Sequence, residues 1–553
     1  MIWLTTAIAL LLGFTLHAPD SLPLLGNAIQ FLKPRHVLFD WFVKCQQKFG
    51  QETFEISVPS LPPGVVINSP EVLEYVLKNE AAITKGEFFR DRSWDLFGYG
   101  IINASGELWR AQRKAGLKFF SGTNLDIMIE EVLPEIYHEF TRASLSQAAE
   151  DRSVVDLQKI FHDLTTTVVG HMAYDMEIDA TSPFSKAFDH ASSQIGLRFQ
   201  NPLYSITEFF TGSSFRASLR EVKRFGRQIV SEARKRRARE AFESLITNTD
   251  EEETELMQQR QQPENNEGSG LGFGTLIDSL IEALSNPKIV ADAALNFLSA
   301  GRDTTAQSLT WTFYALLRHP EALKRVREEI DLKFDVKTSD KTPFNSSATT
   351  NSDSEEDVNI DVSDLQPTNL PYTMAVFYES LRLHPPVPFE IKQTTQPVTL
   401  PDGTSLPAGA VVVWCIWALN RSFSTFGEDA QLFRPERWLE VSSPASHANS
   451  ETDTDTHVNT AAHKPSLRFT GSKYSVGEFP VFNGGPRSCL GKKMAELMGA
   501  WTLMRMLREW DFEEVNDGLN MDSSSGERRS ANSLTLPMEG GLPVRVTRRL
   551  RRV

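Results

Sequence analysis

The sequence predicts a mainly α-helical fold with a minor β-sheet region, and three observations carry that expectation. From about residue 105 to 320, apolar residues recur at helical spacing. Extended β-branched stretches are few and short, chiefly "GVVIN" and "AVVVWCIW". The chain has 553 residues, 40% hydrophobic and 23% charged, which suits a globular protein with a sizeable core.

Residues 1–16 carry no charge. They are marginal in length for a spanning helix and lack the basic start of a signal peptide. Pro19 and Pro23 stop any helix there. We read 1–18 as a short N-terminal membrane anchor, with a cleaved signal peptide as the alternative. Residues 19–34 form a proline-containing hinge, and 35–553 one large domain. "HVLFDWFVKCQQKF" reads as an amphipathic helix, and "GVVINSPEVLEYVLKN" as a strand followed by a helix that opens at Ser69-Pro70.

A long helix is expected from Pro287 to Arg318, with Ala294, Leu298, Gly301, Thr305 and Ser308 on one stripe. Gly301 and the pair Thr304-Thr305 weaken its middle, and Asp303 is an unexpected charge for a buried helix. Segment 397–417 reads as a hairpin around Asp402-Gly403. Three polar insertions are expected near 247–274, 337–364 and 442–466: the first a mobile loop, the others disordered by composition.

A net charge of −15 excludes a general basic field for nucleic acid. The local basic runs "REVKRFGRQIVSEARKRRARE" and "RVTRRLRRV" fit a solvated helix face and a chain end. Three cysteines make no disulfide framework, and no cluster suggests zinc. Cys45 and Cys415 sit in apolar runs and read as small buried hydrophobes.

Cys489 differs. It lies in "FPVFNGGPRSCLGKK", with Arg487 two residues before it and Gly485 and Gly491 on either side. Glycines let backbone come close to whatever the sulfur binds. The following "KKMAELMGAWTLMRMLREW" is helical in pattern, so the sulfur precedes a helix N-terminus whose dipole favours a thiolate. This describes a rigid axial thiolate ligand to a metal cofactor. A nucleophilic cysteine is the alternative, although no histidine is paired with it by any local signature.

Phe482, Gly485, Arg487, Cys489 and Gly491 match the loop F-x-x-G-x-R-x-C-x-G, and the chain resembles the cytochrome P-450 family over residues 19–553. The resemblance implies the P-450 fold, with haem b between the long central helix and the cysteine-ligand loop, and Cys489 as axial haem-iron ligand. Phe482 would shield the sulfur, and Arg487 would reach a haem propionate. "SAGRDTTAQSLTW" resembles the family's oxygen-binding kink; Thr304 would hydrogen-bond dioxygen and Asp303 would be the acid of the proton relay. "GELWRAQRK" resembles the helix whose tryptophan and arginine, here Trp109 and Arg113, bind one propionate. Lys392 falls where the family often has an arginine for the other; lysine is a point charge rather than a bidentate fork. Glu379 and Arg382 in "ESLRLHPPVP", alone an ordinary helix-surface pair, resemble with Arg437 of "FRPERW" the family's structural Glu–Arg–Arg network.

The implied activity is a monooxygenase that inserts one oxygen atom of O2 into an unactivated C–H bond. Residues 490–553 are too few for a fused flavin reductase. Electrons are therefore expected from a separate NADPH-cytochrome P-450 reductase, with cytochrome b5 as a further donor and Lys492 and Lys493 as docking charges. The implied location is the endoplasmic reticulum membrane, with the domain facing the cytosol. "AGRDTTA", "LPDGTSLPAG", "FGEDAQLFRPERW" and "YGIINASGELWRAQRK" resemble fungal alkane and fatty-acid hydroxylases and plant fatty-acid ω-hydroxylases. A long aliphatic substrate follows from that resemblance. Some of those enzymes carry a glutamate, ester-linked to haem, where this chain has Ala300; the haem is expected to be non-covalent apart from the sulfur bond. "WDLFGYG" (94–100), Phe297, "VPF" (387–389) and "LTL" (534–536) are the candidate apolar substrate contacts. The alternative within the family is a tailoring monooxygenase of fungal secondary metabolism, for instance on an aliphatic polyketide. Outside it stand a haem-thiolate isomerase or dehydratase, and a non-catalytic helical protein with a structural Cys489.

Overall fold

Helices dominate because the long apolar stripes of the chain bury against one another. The computed structural model describes residues 19–59, 61–255, 274–339, 360–442, 466–515, 518, 520–522 and 526–550. Its centre is the helix Pro287–Arg318, bounded as its sequence predicts. Asn286 caps it by accepting the Lys288 amide at 2.9 Å, and Pro287 fits the first turn, where its missing N–H costs nothing. The helix is continuous, so the expected kink does not interrupt it. Gly301 has a packing reason: a Cβ there would lie 2.9 Å from Val169 of the neighbouring helix Leu157–Tyr174. Tyr174 donates its hydroxyl to the Ala294 carbonyl at 2.8 Å, and Thr165 to the Arg302 carbonyl at 2.9 Å, so the two helices are pinned at both ends of the approach.

One face of the central helix meets Pro371–Leu383 and Lys492–Glu509, burying Trp311, Trp438 and Trp501 in one continuous core. The five-stranded sheet lies at the edge. Its order is Phe54–Ile56, Gly64–Val66, Val411–Cys415, Phe389–Thr394, Ile83–Thr84. Gly64–Val66 and Val411–Cys415 pair in parallel; the other neighbours are antiparallel. Val411–Cys415 is buried along its whole length, as its unbroken apolar run requires. Cys45 and Cys415 are both buried in the apolar cluster beside this sheet.

Several local expectations change. The hairpin at Asp402-Gly403 spans only Val398–Leu406, and the following apolar run joins the larger sheet instead. Helix Ser213–Glu255 extends past residue 247, where a loop was expected to start, and helix Pro320–Ser339 enters the second insertion. Residues 256–273, 340–359 and 443–465 of the insertions lie outside the described residues. The third insertion is closed at its base by an antiparallel pair, Leu439–Ser442 with Ser466–Phe469. The anchor expected at 1–18 also lies outside the described residues. Among those described, no helix is long and apolar enough to cross a membrane. The segment from residue 19 is tied to the sheet edge: the Asn27 amide donates to the Ser57 carbonyl at 2.7 Å, and the Asn27 side chain accepts the Ser57 amide at 3.2 Å.

Candidate active site

Cys489 sits in a folded-back loop between two short 3-10 turns and the helix Lys492–Glu509. Its amide donates to the Phe482 carbonyl at 2.8 Å, which closes the loop. Gly485 has φ +59°, and a Cβ there would lie 2.3 Å from the Leu77 carbonyl oxygen. Its glycine is therefore required by the end of helix Pro70–Lys78, not by the sulfur's ligand. The Cys489 side chain is accessible, yet protein encloses its flank. Burial pushes the thiol above its ordinary value, while the Gly491 amide, Arg113 and Lys492 pull the other way. Metal coordination removes such a proton outright.

The same loop is gripped from the helix Gly106–Phe119. Arg113 donates to the Ser488 carbonyl at 3.0 Å and to its hydroxyl at 3.2 Å. Arg487 lies 4.6 Å and Arg113 5.5 Å from the centroid of the Trp109 ring. Trp109, Arg113 and Arg487 thus form one cluster beside Cys489. Arg487 also donates to the Ala104 carbonyl at 2.9 Å and to Glu80 at 2.8 Å. Lys392, buried in strand Phe389–Thr394, donates to the other oxygen of Glu80 at 2.9 Å and to the Val76 carbonyl at 3.2 Å. Glu80 was not anticipated. It is an isolated acid in no motif, and its partners are more than 300 residues away in sequence.

The central helix reaches this loop through Gly116, where a Cβ would stand 2.9 Å from Phe297 and 3.0 Å from Leu490, the neighbour of Cys489. Two turns beyond Phe297, Thr304 donates its hydroxyl to the Ala300 carbonyl at 2.7 Å, and Ser308 donates to the Thr304 carbonyl at 2.7 Å. Asp303 turns away from Thr304 into the core. Its carboxylate lies 3.2 Å from Arg302 and 3.9 Å from His162. Burial drives the Asp303 carboxyl from 3.8 up to about 7, against the pull of Arg302. Burial and Arg302 lower His162 to about 4, so its imidazole is neutral near neutral pH. Arg302 reaches outward to Asp189 at 2.8 Å, an exposed carboxylate that links this buried group to the surface.

Behind the loop, Glu379 binds Arg382 at 2.7 and 2.8 Å and Arg437 at 2.9 Å. It also accepts the Trp438 indole N–H at 2.9 Å and the Arg434 amide at 2.8 Å. Burial alone would raise this carboxyl, but the two arginines outweigh it and hold it below the usual carboxylate range. Arg382 continues to the carbonyls of Asn420, Ala430 and Leu432. Trp438 and these carbonyls escaped sequence reasoning because they mark no motif.

Of the apolar candidates, Phe389 and Leu534 line one cavity of about 150 Å³. Trp94 and Tyr99 instead line a separate outer groove with Lys223 and Arg234. Leu96 and Phe97 are core.

The residues around Cys489 suit a planar metallo-cofactor bearing carboxylates. The donor set offers one soft thiol with an amide and cations around it. Arg113, Arg487 and Lys392 are matched by the single acid Glu80 among the contacts described, so positive charge remains for two further carboxylates. Fold and loop together define a class of helical oxidoreductases that present a cysteine sulfur to a metal cofactor beneath a long central helix.

The comparisons with known proteins agree. The family model described as Cytochrome P450 matches residues 16–535. The chain is 29% identical over 549 residues to Cytochrome P450 monooxygenase cyp1 of Mycosarcoma maydis, covering 97% of this chain and 76% of that protein. It is 26% identical over 545 residues to Cytochrome P450 94A1 of Vicia sativa, covering 96% and 90%. Against Cytochrome P450 704B1 of Arabidopsis thaliana it is 28% identical over 515 residues, covering 90% of each. The chain belongs to the cytochrome P450 family and is a monooxygenase of the haem-thiolate type.

Proposed function

We propose that the protein hydroxylates a long aliphatic chain, a fatty acid or an alkane, with electrons from a separate NADPH-cytochrome P450 reductase. The observation that carries this is the junction of the Cys489 loop with the central helix at Gly116, Phe297 and Leu490. It would set the Cys489 sulfur and Thr304 on walls of one site, with Asp303 turned into the core behind Thr304. The motif resemblance to aliphatic hydroxylases supports the substrate class.

Haem b, when bound, supplies the redox chemistry that activates dioxygen. The chain's own residues do the rest. Cys489 would hold the iron through its sulfur, and Phe482 would cover that sulfur. Trp109, Arg113 and Arg487 hold one cofactor carboxylate, while Lys392 serves the other as a point charge. Glu379, Arg382 and Arg437 keep the core behind the loop rigid and touch no reactant. Asp303, whose carboxyl burial raises, would hold the proton to be delivered and would have to turn out of the core to pass it on. Thr304, whose hydroxyl rests on the Ala300 carbonyl, would receive it on the side of the site. Lys492 is exposed and faces the electron donor; Lys493 is held by Gln366 at 2.7 Å. Cytochrome b5 is a further electron donor in this reading. Membrane attachment through residues 1–18, with the domain at 35–553 facing the cytosol from the endoplasmic reticulum, completes it. Exposed Phe209 and Phe210 support a membrane-facing surface.

The test is reconstitution with the reductase, NADPH and a panel of dodecanoic to octadecanoic acids and matching alkanes. Hydroxylated product from at least one is expected. No turnover of any, with intact haem-thiolate spectra, moves the reading to tailoring of a secondary metabolite. Product without reductase and NADPH contradicts monooxygenation.

A further inference from the structure

The cavity bounded by Phe389 and Leu534 has an unusual wall. Most of it is apolar, with Phe39, Phe88 and Ile391 among its residues. Three arginines, Arg35, Arg92 and Arg198, also line it, and no aspartate or glutamate does. Arg198 is neutralised from behind by Asp95 at 2.8 Å and Glu208 at 2.7 Å. Neither of the other two forms an ion pair among the described residues, and although Asp91 acts on Arg92 through space, burial outweighs it. Arg35, buried, donates to the carbonyls of Ala531 at 2.9 Å and Thr535 at 2.7 Å. That contact positions the loop carrying Leu534. Arg92, also buried, donates only to the Phe88 carbonyl at 3.0 Å; its guanidinium lies 3.7 Å over the Phe88 ring, and its Nε has no hydrogen-bond partner.

A guanidinium is charged at any working pH, and burying it without a counter-charge is costly. Burial lowers both Arg35, to about 9, and Arg92, which records that cost. An apolar cavity with buried positive charge and no acid is complementary to an amphipathic anion: a chain along the phenylalanines and a carboxylate at the guanidinium. A neutral alkane would leave Arg92 uncompensated. Resting on the aliphatic reading above, we propose that this cavity receives the carboxylate end of a long-chain acid. Arg92 selects the acid over neutral chains, and Arg35 holds the loop that closes the cavity.

The test is calorimetric titration of the holoenzyme with dodecanoic acid and with its methyl ester, which differ at the head by the charge and one methyl group. Losing one charge-assisted contact in a desolvated site corresponds to about 10- to 100-fold in affinity. Wild type is expected to bind the acid more tightly than the ester by that factor. Arg92→Gln should weaken the acid to the level of the ester while leaving the ester within about twofold, and Arg92→Lys should restore part of the preference. Equal affinities in wild type overturn the proposal without recourse to any variant, and so does an acid preference that survives in Arg92→Gln. If neither ligand binds while the haem-thiolate spectrum is normal, the aliphatic reading itself fails. Ester binding equal to acid removes only the anchor.

Discussion

The Nε of Arg487 and the Oε1 of Glu80 lie 2.8 Å apart, and the second oxygen of Glu80 takes the ammonium of Lys392 at 2.9 Å. One carboxylate thus joins the cysteine loop to the sheet strand that carries Lys392. Lys392 is 1% exposed, so removing Glu80 takes from a buried cation its carboxylate partner among the described residues. Glu80→Ala is expected to lower the unfolding midpoint of the holoprotein by several degrees, from a loss of about 2–4 kcal/mol. It should also speed haem loss to an acceptor protein. A midpoint and a transfer rate equal to wild type would show that the bridge holds nothing.

Glu379 compensates two buried guanidinium groups at once. Glu379→Gln keeps the shape and removes the charge, which leaves Arg382 without a carboxylate in the core and Arg437 with Asp429 alone, at a cost of about 3–5 kcal/mol. Little folded holoprotein should be recovered on expression. Soluble protein with wild-type haem content and urea midpoint would remove this network from the account.

Asp303 predicts a pH dependence of stability. Its carboxyl titrates near 7 in the fold and near 3.8 when free. Between those values the unfolded chain releases a proton that the folded chain retains, so the folded state loses stability as pH rises through the window. Below pH 4 both forms are protonated and the penalty is absent; above pH 7 it is constant. Measured against Asp303→Asn, wild type should lose relative stability from pH 4 to 7 and then level off. A flat difference curve means that Asp303 is ionised throughout.

Thr304 is the adjacent test of chemistry. Its hydroxyl back-bonds to Ala300, a contact that adds little to helix stability. Thr304→Ala should therefore fold and bind haem normally, yet product per NADPH consumed should fall by about tenfold or more, with Thr304→Ser largely restoring it. Unchanged coupling in the alanine variant would remove Thr304 from the proton relay.

Local signals made the central helix readable end to end. Asn286-Pro287 opens it and Arg318-His319-Pro320 closes it, all by short-range backbone chemistry. The sheet was less legible. Its strands run from two to six residues. The parallel partners Gly64–Val66 and Val411–Cys415 lie so far apart in sequence that no local pattern encodes the pairing. Residues of the cysteine motif were legible because chemistry fixes their spacing. The role of Gly485 was not, since the atom that forbids a side chain there belongs to Leu77 of another helix. Glu80 and Arg92 stayed hidden for the same reason: what matters about them is which charges they meet, or fail to meet, after folding.

Cys489 would be the residue that holds the haem iron through its sulfur. The most direct measurement is the carbon-monoxide difference spectrum of the reduced holoprotein, taken for wild type and for Cys489→Ala and Cys489→His. Ligation through Cys489 gives the red-shifted Soret band of a thiolate in wild type and its loss in both variants. A wild-type spectrum without that band despite bound haem, or a red-shifted band that survives the loss of Cys489, would contradict it.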